Sequence, residues 1–238
     1  KDTSMGGKIA YKILSEMDFV DSNRIGITGH SMGTWSSWSV AAAFPNHKSV
    51  VLQCGELYDK KYYDYDNTKI NNMLLLQAKY DEFNYFRDYQ NVVKGLENTP
   101  LRYNTFAMQD KPIKWNTTYG NFADGTARRM ELLNTNHRLT THFGPAFDAS
   151  MDWFVNSLDV KTDIKANSHI FMIKEILVLI AMFAALASIL PLLVILVNTK
   201  FFAECKQEVS NNDNTLLKGK TWWKTAIISI LISGITFP

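Results

Sequence analysis

Ser31, Asp81 and His137 are the residues whose types and order along the chain fit covalent chemistry. Ser31 is the centre of the pentapeptide Gly29-His30-Ser31-Met32-Gly33. A serine hydroxyl is a weak nucleophile, so it needs a base beside it and N–H donors that face the developing oxyanion. Asp81 and His137 each follow a later apolar run, so the order along the chain is nucleophile, acid, histidine.

The residues around Ser31 predict a sharp turn between a strand and a helix. The apolar run Ile25–Thr28 precedes the pentapeptide, and the stretch Trp35–Phe44 after it is typical of a helix. Because glycine has no Cβ, Gly29 and Gly33 allow a strained backbone and a close approach of the strand to the helix. The alternative interpretation makes Ser31 an ordinary helix N-cap, a position that serine often occupies.

Asp81 follows the apolar run Met73–Ala78, which predicts a buried strand with an acid at its carboxyl end. An amphipathic helix is predicted next, at Phe86–Leu96. Two other acids remain open as alternatives, the neighbouring Glu82 and the more remote Asp110. A solvated cap of the following helix is the structural alternative for Asp81.

His137 comes directly after a predicted strand at Ala127–Leu133, and His142 is the alternative histidine five residues on. No metal site is predicted, because the spacing of His137, His142 and His169 matches no ligand motif. The side chain of His30, inside the turn, is expected to pack or hydrogen-bond locally.

The remaining pattern favours an α/β fold in which helices alternate with parallel strands. Further predicted elements are a helix over residues 5–17, strands over 24–28 and 49–55, a short strand at Leu101–Met108 in an irregular region, and a last helix at Pro145–Leu158. On that last helix Phe147, Met151, Phe154 and Val155 recur at helical spacing and are expected to face the sheet.

The stretch Asp21–Gly33 and the order Ser31, Asp81, His137 resemble the α/β-hydrolase superfamily, and most of all the dienelactone-hydrolase-like and prolyl-oligopeptidase-like serine enzymes. The resemblance covers residues 1 to about 158, which correspond to the C-terminal part of that fold, a mainly parallel sheet with flanking helices. The nucleophile strand of the family is ordinarily the fifth of eight. The chain is therefore expected to be a fragment that begins one helix before this strand.

The resemblance implies roles for three side chains and one backbone group. Ser31 Oγ would attack a carbonyl, His137 would accept and return the proton, and Asp81 would orient the imidazole. The backbone N–H of Met32 would be one oxyanion donor, while the second would come from an earlier strand that this chain does not include. No cofactor is implied.

A membrane-spanning helix is predicted at Ile176–Val197, because these 22 residues carry no charge and match the thickness of a bilayer core. Pro191 is expected to kink it. A second apolar run begins at Trp222 and is shorter, which predicts the start of a truncated second span. The predicted organisation is a hydrolase part over 1–160, a linker over 161–175, a span over 176–197, a loop over 198–221 and the second span over 222–238.

The charges argue for a membrane protein rather than a nucleic-acid-binding one. The formal net charge is only +2, and no concentrated basic patch occurs. Lysines flank the first span on both sides and are more numerous after it: Lys161, Lys165 and Lys174 before, and Lys200, Lys206, Lys218, Lys220 and Lys224 after. The positive-inside tendency therefore places the loop in the cytoplasm and the hydrolase part outside, with the plasma membrane as the expected location.

The expected function is that of a membrane-anchored serine hydrolase that cleaves a carboxylic ester or a short peptide. The tyrosine-rich segment Tyr58–Tyr65 is expected to be a surface excursion or a small lid. An acyltransferase with the same three residues is one alternative. A hydrolase-like domain that only binds a ligand or partner is the other. The two cysteines, Cys54 and Cys205, predict no disulfide.

Overall fold

The computed structural model describes residues 4–55, 66–83, 95, 100–107, 113–206 and 219–236. The chain divides into two units, Lys1–Ile170 and Phe171–Pro238, so the division falls within the segment predicted as a linker. The predicted helix at Phe86–Leu96 lies outside the described residues apart from Gly95, and so do the Tyr58–Tyr65 segment and Asp110.

The first unit is an α/β fold with a four-stranded parallel sheet and flanking helices. Its strands are β1 (Gly26–His30), β2 (Ser49–Gln53), β3 (Met73–Tyr80) and β4 (Arg128–Asn136), in the spatial order β1-β2-β3-β4. Its helices are α1 (Gly7–Ser15), α2 (Met32–Ala43), α3 (Pro100–Thr105) and α4 (Gly144–Ser157). Because each strand pairs in parallel with the next, the carboxyl ends of all four meet at one edge of the sheet.

The apolar runs of β2 and β3 are explained by burial on both faces of the sheet. Trp38 of α2 lies in the core on one face with Val50, whereas Trp153 of α4 lies in the core on the other face with Val51. Neighbouring residues of a strand point to opposite faces, so a strand covered on both sides is apolar at successive positions. Each fully buried side chain of this kind stabilises the fold by roughly 1.5–3 kcal/mol relative to exposure.

Helix α4 turns to the sheet a face that agrees only in part with the predicted one, since Phe154 packs against the core. Its buried residues are Ala146, Ala149, Ser150, Trp153 and Ser157, whereas the predicted Met151 is exposed. Small residues allow the helix axis to lie close to the sheet, and the single Trp153 then fills the space between them. The Trp153 indole N–H donates to the Asn72 carbonyl at 2.9 Å, which fixes this orientation.

The short strand predicted at Leu101–Met108 is wrong, because α3 occupies Pro100–Thr105. The buried residues here are Arg102, Thr105 and Phe106. This is the spacing of one helix face, whereas a half-buried strand would bury alternate residues.

Arg24 joins the segment before β1 to the end of α4. Its Nε donates to the Leu158 carbonyl at 2.7 Å, and its Nη2 donates to the Asp159 carbonyl at 2.6 Å. The last carbonyls of a helix lack intrahelical donors, and a cation is favourable at this end of the helix dipole. Arg24 therefore caps the last helix of the first unit.

A buried histidine, His47, lies just before β2 at the amino edge of the sheet. Its Nδ1 contacts the Phe44 carbonyl at 2.7 Å, and its Nε2 accepts from the Asn71 N–H at 3.0 Å. Burial lowers the pKa of His47, and the nearby Arg128 cation lowers it further, so the neutral ring is favoured. Arg128 is itself buried, which lowers its pKa to about 10, and its guanidinium donates to backbone carbonyls including that of Ala127.

The second unit contains two helices in its described residues, α5 (Phe171–Val197) and α6 (Gly219–Thr236). Helix α5 is long and apolar enough to cross a membrane, and Pro191 lies inside it. Its 27 residues correspond to a length of about 40 Å at the rise of an α-helix. The second span predicted from Trp222 is not confirmed, since α5 is the one helix among the described residues that is long and apolar enough.

Candidate active site

Ser31 is the single residue between β1, which ends at His30, and α2, which begins at Met32. Its backbone has φ 55° and ψ −119°, a region that costs a non-glycine residue on the order of 1–3 kcal/mol. The Ser31 N–H donates to the Gln53 carbonyl at 2.9 Å, so the turn is fastened to the end of β2. The predicted strand, sharp turn and helix are therefore present.

The Ser31 side chain does not cap α2, although Ser31 stands at the N-cap position. Thr34 Oγ1 instead donates to the Ser31 carbonyl at 2.6 Å, and the Thr34 N–H donates to the same carbonyl at 3.0 Å. These bonds hold the backbone of the turn. The ordinary N-cap interpretation of Ser31 therefore has no support in the hydrogen bonds of the described residues.

The two glycines of the pentapeptide differ in what they do. A Cβ on Gly29 would lie 2.2 Å from the Gly33 carbonyl oxygen and 2.5 Å from Ser37 Oγ, so only glycine fits where β1 passes α2. A Cβ on Gly33 would meet nothing within 4 Å. The predicted close approach therefore depends on Gly29.

Asp81 and His137 form a buried pair at the carboxyl edge of the sheet. Asp81 directly follows β3 and His137 directly follows β4. His137 Nδ1 lies 3.1 Å from each carboxylate oxygen of Asp81, and the two residues are only 4% and 5% exposed. A carboxylate accepts hydrogen bonds, so the contact assigns the proton of the neutral ring to Nδ1 and leaves Nε2 unprotonated.

Two further donors fix the carboxylate of Asp81. Gln77 Nε2 donates to one of its oxygens at 3.0 Å, and the Phe83 N–H donates to the other at 3.0 Å. The Phe83 ring also packs edge-on against the His137 ring, with the centroids 4.6 Å apart. The carboxylate is thus held in place from both sides before any substrate binds.

Glu82 and His30 hold the backbone of His137, a role that the sequence did not reveal. The His137 N–H donates to Glu82 Oε2 at 2.9 Å, and the His137 carbonyl lies 2.8 Å from His30 Nε2. The side chain of His30 packs against the His137 ring and bonds to its carbonyl, so these contacts join residues 107 positions apart in the chain. His30 ends β1, and Glu82 comes shortly after β3. The carboxyl ends of parallel strands meet at one edge, so the sequence did contain a signal that these two residues lie near His137.

His30 connects the Ser31 turn to His137. The His30 and His137 rings have centroids 4.7 Å apart, and His30 immediately precedes Ser31. Within the described residues, no hydrogen bond joins Ser31 Oγ to the His137 imidazole. Such catalytic hydrogen bonds are often long without substrate and shorten when it binds.

The other sequence candidates lie away from this cluster. His142 ends a short 3-10 turn, Thr140–His142, and is exposed. His169 Nε2 contacts Asp148 Oδ1 at 2.6 Å, beside α4. Met32 is the first residue of α2, so its N–H belongs to the donors that a helix leaves without an intrahelical partner.

Cys54 also lies at the carboxyl edge, directly after β2, with a backbone φ of 48°. It is fully buried, and its Sγ lies 3.1 Å from Thr140 Oγ1. One donor atom each from His30, Cys54 and His137 lie within 4.8 Å of one another. This group contains His137 but neither His142 nor His169, the two other histidines considered in the sequence.

A comparison with protein-family models finds no match to this chain, and a comparison with curated proteins finds none either. The α/β fold, with its parallel sheet and flanking helices, is compatible with an α/β-hydrolase.

Proposed function

We propose that this protein is a serine hydrolase of the α/β-hydrolase type that cleaves a carboxylic ester or a short peptide through an acyl-enzyme. The observation that carries the proposal is the buried Asp81–His137 pair at the carboxyl edge of the same sheet on which Ser31 forms a strained turn. A carboxylate-bound histidine at the same sheet edge as a partly buried serine turn supports activation of the hydroxyl.

The chemistry follows from the atoms at this edge. Ser31 Oγ attacks the carbonyl carbon while its proton moves to His137 Nε2, and the Asp81 carboxylate stabilises the imidazolium that forms. His137 then protonates the leaving group, and a water molecule repeats the sequence to release the acid. The Met32 N–H faces the developing oxyanion, and one such donor contributes about 2.7–4 kcal/mol to the transition state.

Closure of the Ser31–His137 contact is the one movement that this mechanism requires. Gln77, Glu82 and the Phe83 N–H already hold the Asp81–His137 pair, so His137 is less free to move than the Ser31 side chain. Rotation of the short Ser31 side chain is therefore a smaller change than movement of His137. Substrate that fills the space above the turn would favour that rotation.

A fluorophosphonate probe tests the proposal on the natural full-length protein in detergent. We expect the wild type to be labelled and the Ser31→Ala variant to show no label. Ser36→Ala is the matched control, because Ser36 lies on the same helix but donates to the Ser4 carbonyl and is not at the turn. Absence of label on a folded wild-type protein, or equal label on Ser31→Ala, would contradict the proposal.

We further propose that α5 anchors the hydrolase part in the plasma membrane, with that part outside the cytoplasm. The support is the length and apolar surface of α5, together with the lysines that follow it in the sequence. External protease added to intact cells should digest the first unit. Digestion that occurs only after lysis would reverse the orientation.

A further inference from the structure

We propose that His30, Cys54 and His137 form a site for a soft divalent cation, Zn²⁺ in particular, which switches the hydrolase off. The spacing of the histidines in the sequence gives no hint of this site, because the fold brings its members from the ends of three different strands. The metal site itself stands on geometry alone. Its effect on catalysis rests on the proposed serine hydrolase function.

The donor atoms are close to the separation that a tetrahedral ion needs. One nitrogen of each imidazole and the Cys54 sulfur all lie within 4.8 Å of one another. Zinc bonds of about 2.0–2.3 Å place tetrahedral ligand atoms about 3.4–3.6 Å apart, so the three donors must draw in by about 1 Å. His30 is only half-buried, so its ring has room for this movement and is the member that solvent reaches.

Both histidine ligands have the outer hydrogen bond that orients a metal ligand. The Asp81 carboxylate holds His137 Nδ1, which directs Nε2 to the ion. The His137 carbonyl holds His30 Nε2, which leaves Nδ1 as the unprotonated nitrogen of that ring. Carboxylate and carbonyl partners of this kind fix ring tautomers and ligand directions in metal sites. Thr140 Oγ1 lies 3.1 Å from the Cys54 sulfur and donates its own proton to the Asn136 carbonyl, so the Cys54 thiol donates in the metal-free protein.

The chemistry of the donors selects the cation. On binding, the Cys54 thiol loses its proton to solvent, and both imidazoles coordinate as neutral rings. The thiolate and the nearby Asp81 carboxylate together balance the two positive charges of the ion. Thiolate and imidazole suit Zn²⁺ and Co²⁺, whereas Mg²⁺ and Ca²⁺ prefer oxygen ligands.

An ion at this site removes the general base. His137 Nε2 is the atom that must accept the Ser31 proton, and it cannot do so while it coordinates a metal. Loss of the histidine base from a serine hydrolase slows catalysis by up to about 10⁶-fold. Metal binding and acyl transfer therefore exclude each other, and a chelator should restore activity.

Co²⁺ provides a direct readout of the site on the full-length protein in detergent. We expect the intense visible bands of tetrahedral cobalt and a thiolate-to-cobalt charge-transfer band in the near ultraviolet. The charge-transfer band should disappear in Cys54→Ser and persist in Cys205→Ser, which removes the exposed cysteine of the second unit. No such band in the wild type, or a band that depends on Cys205, would overturn the proposal.

Two further variants keep the test decisive. If Cys54→Ser fails to fold, as judged by circular dichroism, His30→Gln removes a half-buried ligand, and apparent Co²⁺ affinity should fall more than about tenfold. Unchanged affinity in folded His30→Gln would overturn the site. Ser31→Ala should bind Co²⁺ as the wild type does, because Ser31 is not a ligand.

The switch is tested separately from the site. Saturating Zn²⁺ should slow fluorophosphonate labelling of the wild type more than about 100-fold, a chelator should reverse this, and Mg²⁺ should have no effect. Normal labelling at saturating Zn²⁺ would overturn the switch while leaving the hydrolase function intact. Cobalt binding by a protein that is never labelled would support the metal site and contradict the hydrolase function.

Discussion

Two buried histidines lie at opposite edges of the parallel sheet. His47, before β2, has both ring nitrogens bound to the backbone, Nδ1 to the Phe44 carbonyl and Nε2 to the Asn71 N–H. His137, after β4, has Nδ1 bound to the Asp81 carboxylate, and within the described residues no hydrogen bond is formed at its Nε2.

The difference separates a histidine that holds the fold from one whose partners suit the proton acceptor of the proposed mechanism. Burial lowers the pKa of His47 although the bond to the Phe44 carbonyl raises it, and the Asn71 N–H needs an unprotonated Nε2, so the ring is held fixed and neutral. A carboxylate on one nitrogen stabilises the imidazolium and directs the second nitrogen outward. Burial alone therefore does not identify a working histidine, whereas the partner of each nitrogen does.

The largest expected effect comes from removing His137. His137→Gln should lower hydrolysis of p-nitrophenyl acetate by about 10⁶-fold, to the background rate, because the acceptor of the Ser31 proton is lost. His142→Gln should leave the rate unchanged, since His142 is exposed and outside the cluster. Loss of activity in His142→Gln with retention in His137→Gln would make His142 the base and would contradict the role that the comparison gives to His137.

Asp81→Asn should have the next largest effect. An amide can donate to His137 Nδ1 and thereby favour the wrong ring tautomer, which lowers turnover by about 10⁴-fold in a serine hydrolase. Glu82→Gln is the control, because a glutamine oxygen still accepts from the His137 N–H, and the rate should stay within about tenfold of wild type. A larger loss in Glu82→Gln than in Asp81→Asn would make Glu82 the acid of the site.

His47→Leu should affect stability and not chemistry. The substitution leaves the Asn71 N–H without its acceptor, at a cost of about 1–3 kcal/mol, whereas the Phe44 carbonyl still accepts from the backbone N–H of residue 47. The melting temperature of the first unit in detergent should fall by several degrees. The rate of fluorophosphonate labelling at low temperature should match wild type, and a labelling defect would contradict the separation of roles.

The smallest expected effect is a pH dependence of stability. Because the pKa of His47 is lowered in the folded protein, the unfolded chain binds the proton first as pH falls. The stabilisation is full above the ordinary histidine pKa of about 6.5 and is lost as pH drops toward the lower folded value. His47→Gln should therefore show a smaller fall in melting temperature between about pH 7.5 and about pH 5. An equal fall in both proteins would exclude His47 as the titrating group.

The parallel sheet could be predicted from the sequence because β2 and β3 are buried on both faces and read as continuous apolar runs. The turn at Ser31 could be predicted because its flanking residues, strand before and helix after, are local. The placement of Asp81 and His137 followed from parallel pairing, which brings strand ends to one edge. Catalysis by Ser31 stays a prediction.

The remaining features depend on contacts between distant residues. The close packing of α4 comes from Ala146 and Ala149, and small residues carry little signal in a hydrophobic pattern. The bond of His30 to the His137 carbonyl and the position of Cys54 beside both rings require the pairing order β1-β2-β3-β4. The residues next to His30 and Cys54 in the sequence do not indicate the order in which the strands pair.

Arg24 gives the first unit a mechanical property. The guanidinium links β1 to the carbonyls of Leu158 and Asp159, the residues from which the chain leaves toward α5. A pulling force applied to the chain after Asp159 is therefore shared with β1, the strand that ends in the Ser31 turn. If α5 anchors the protein as proposed, lateral stress on it would reach the Ser31 turn through two hydrogen bonds.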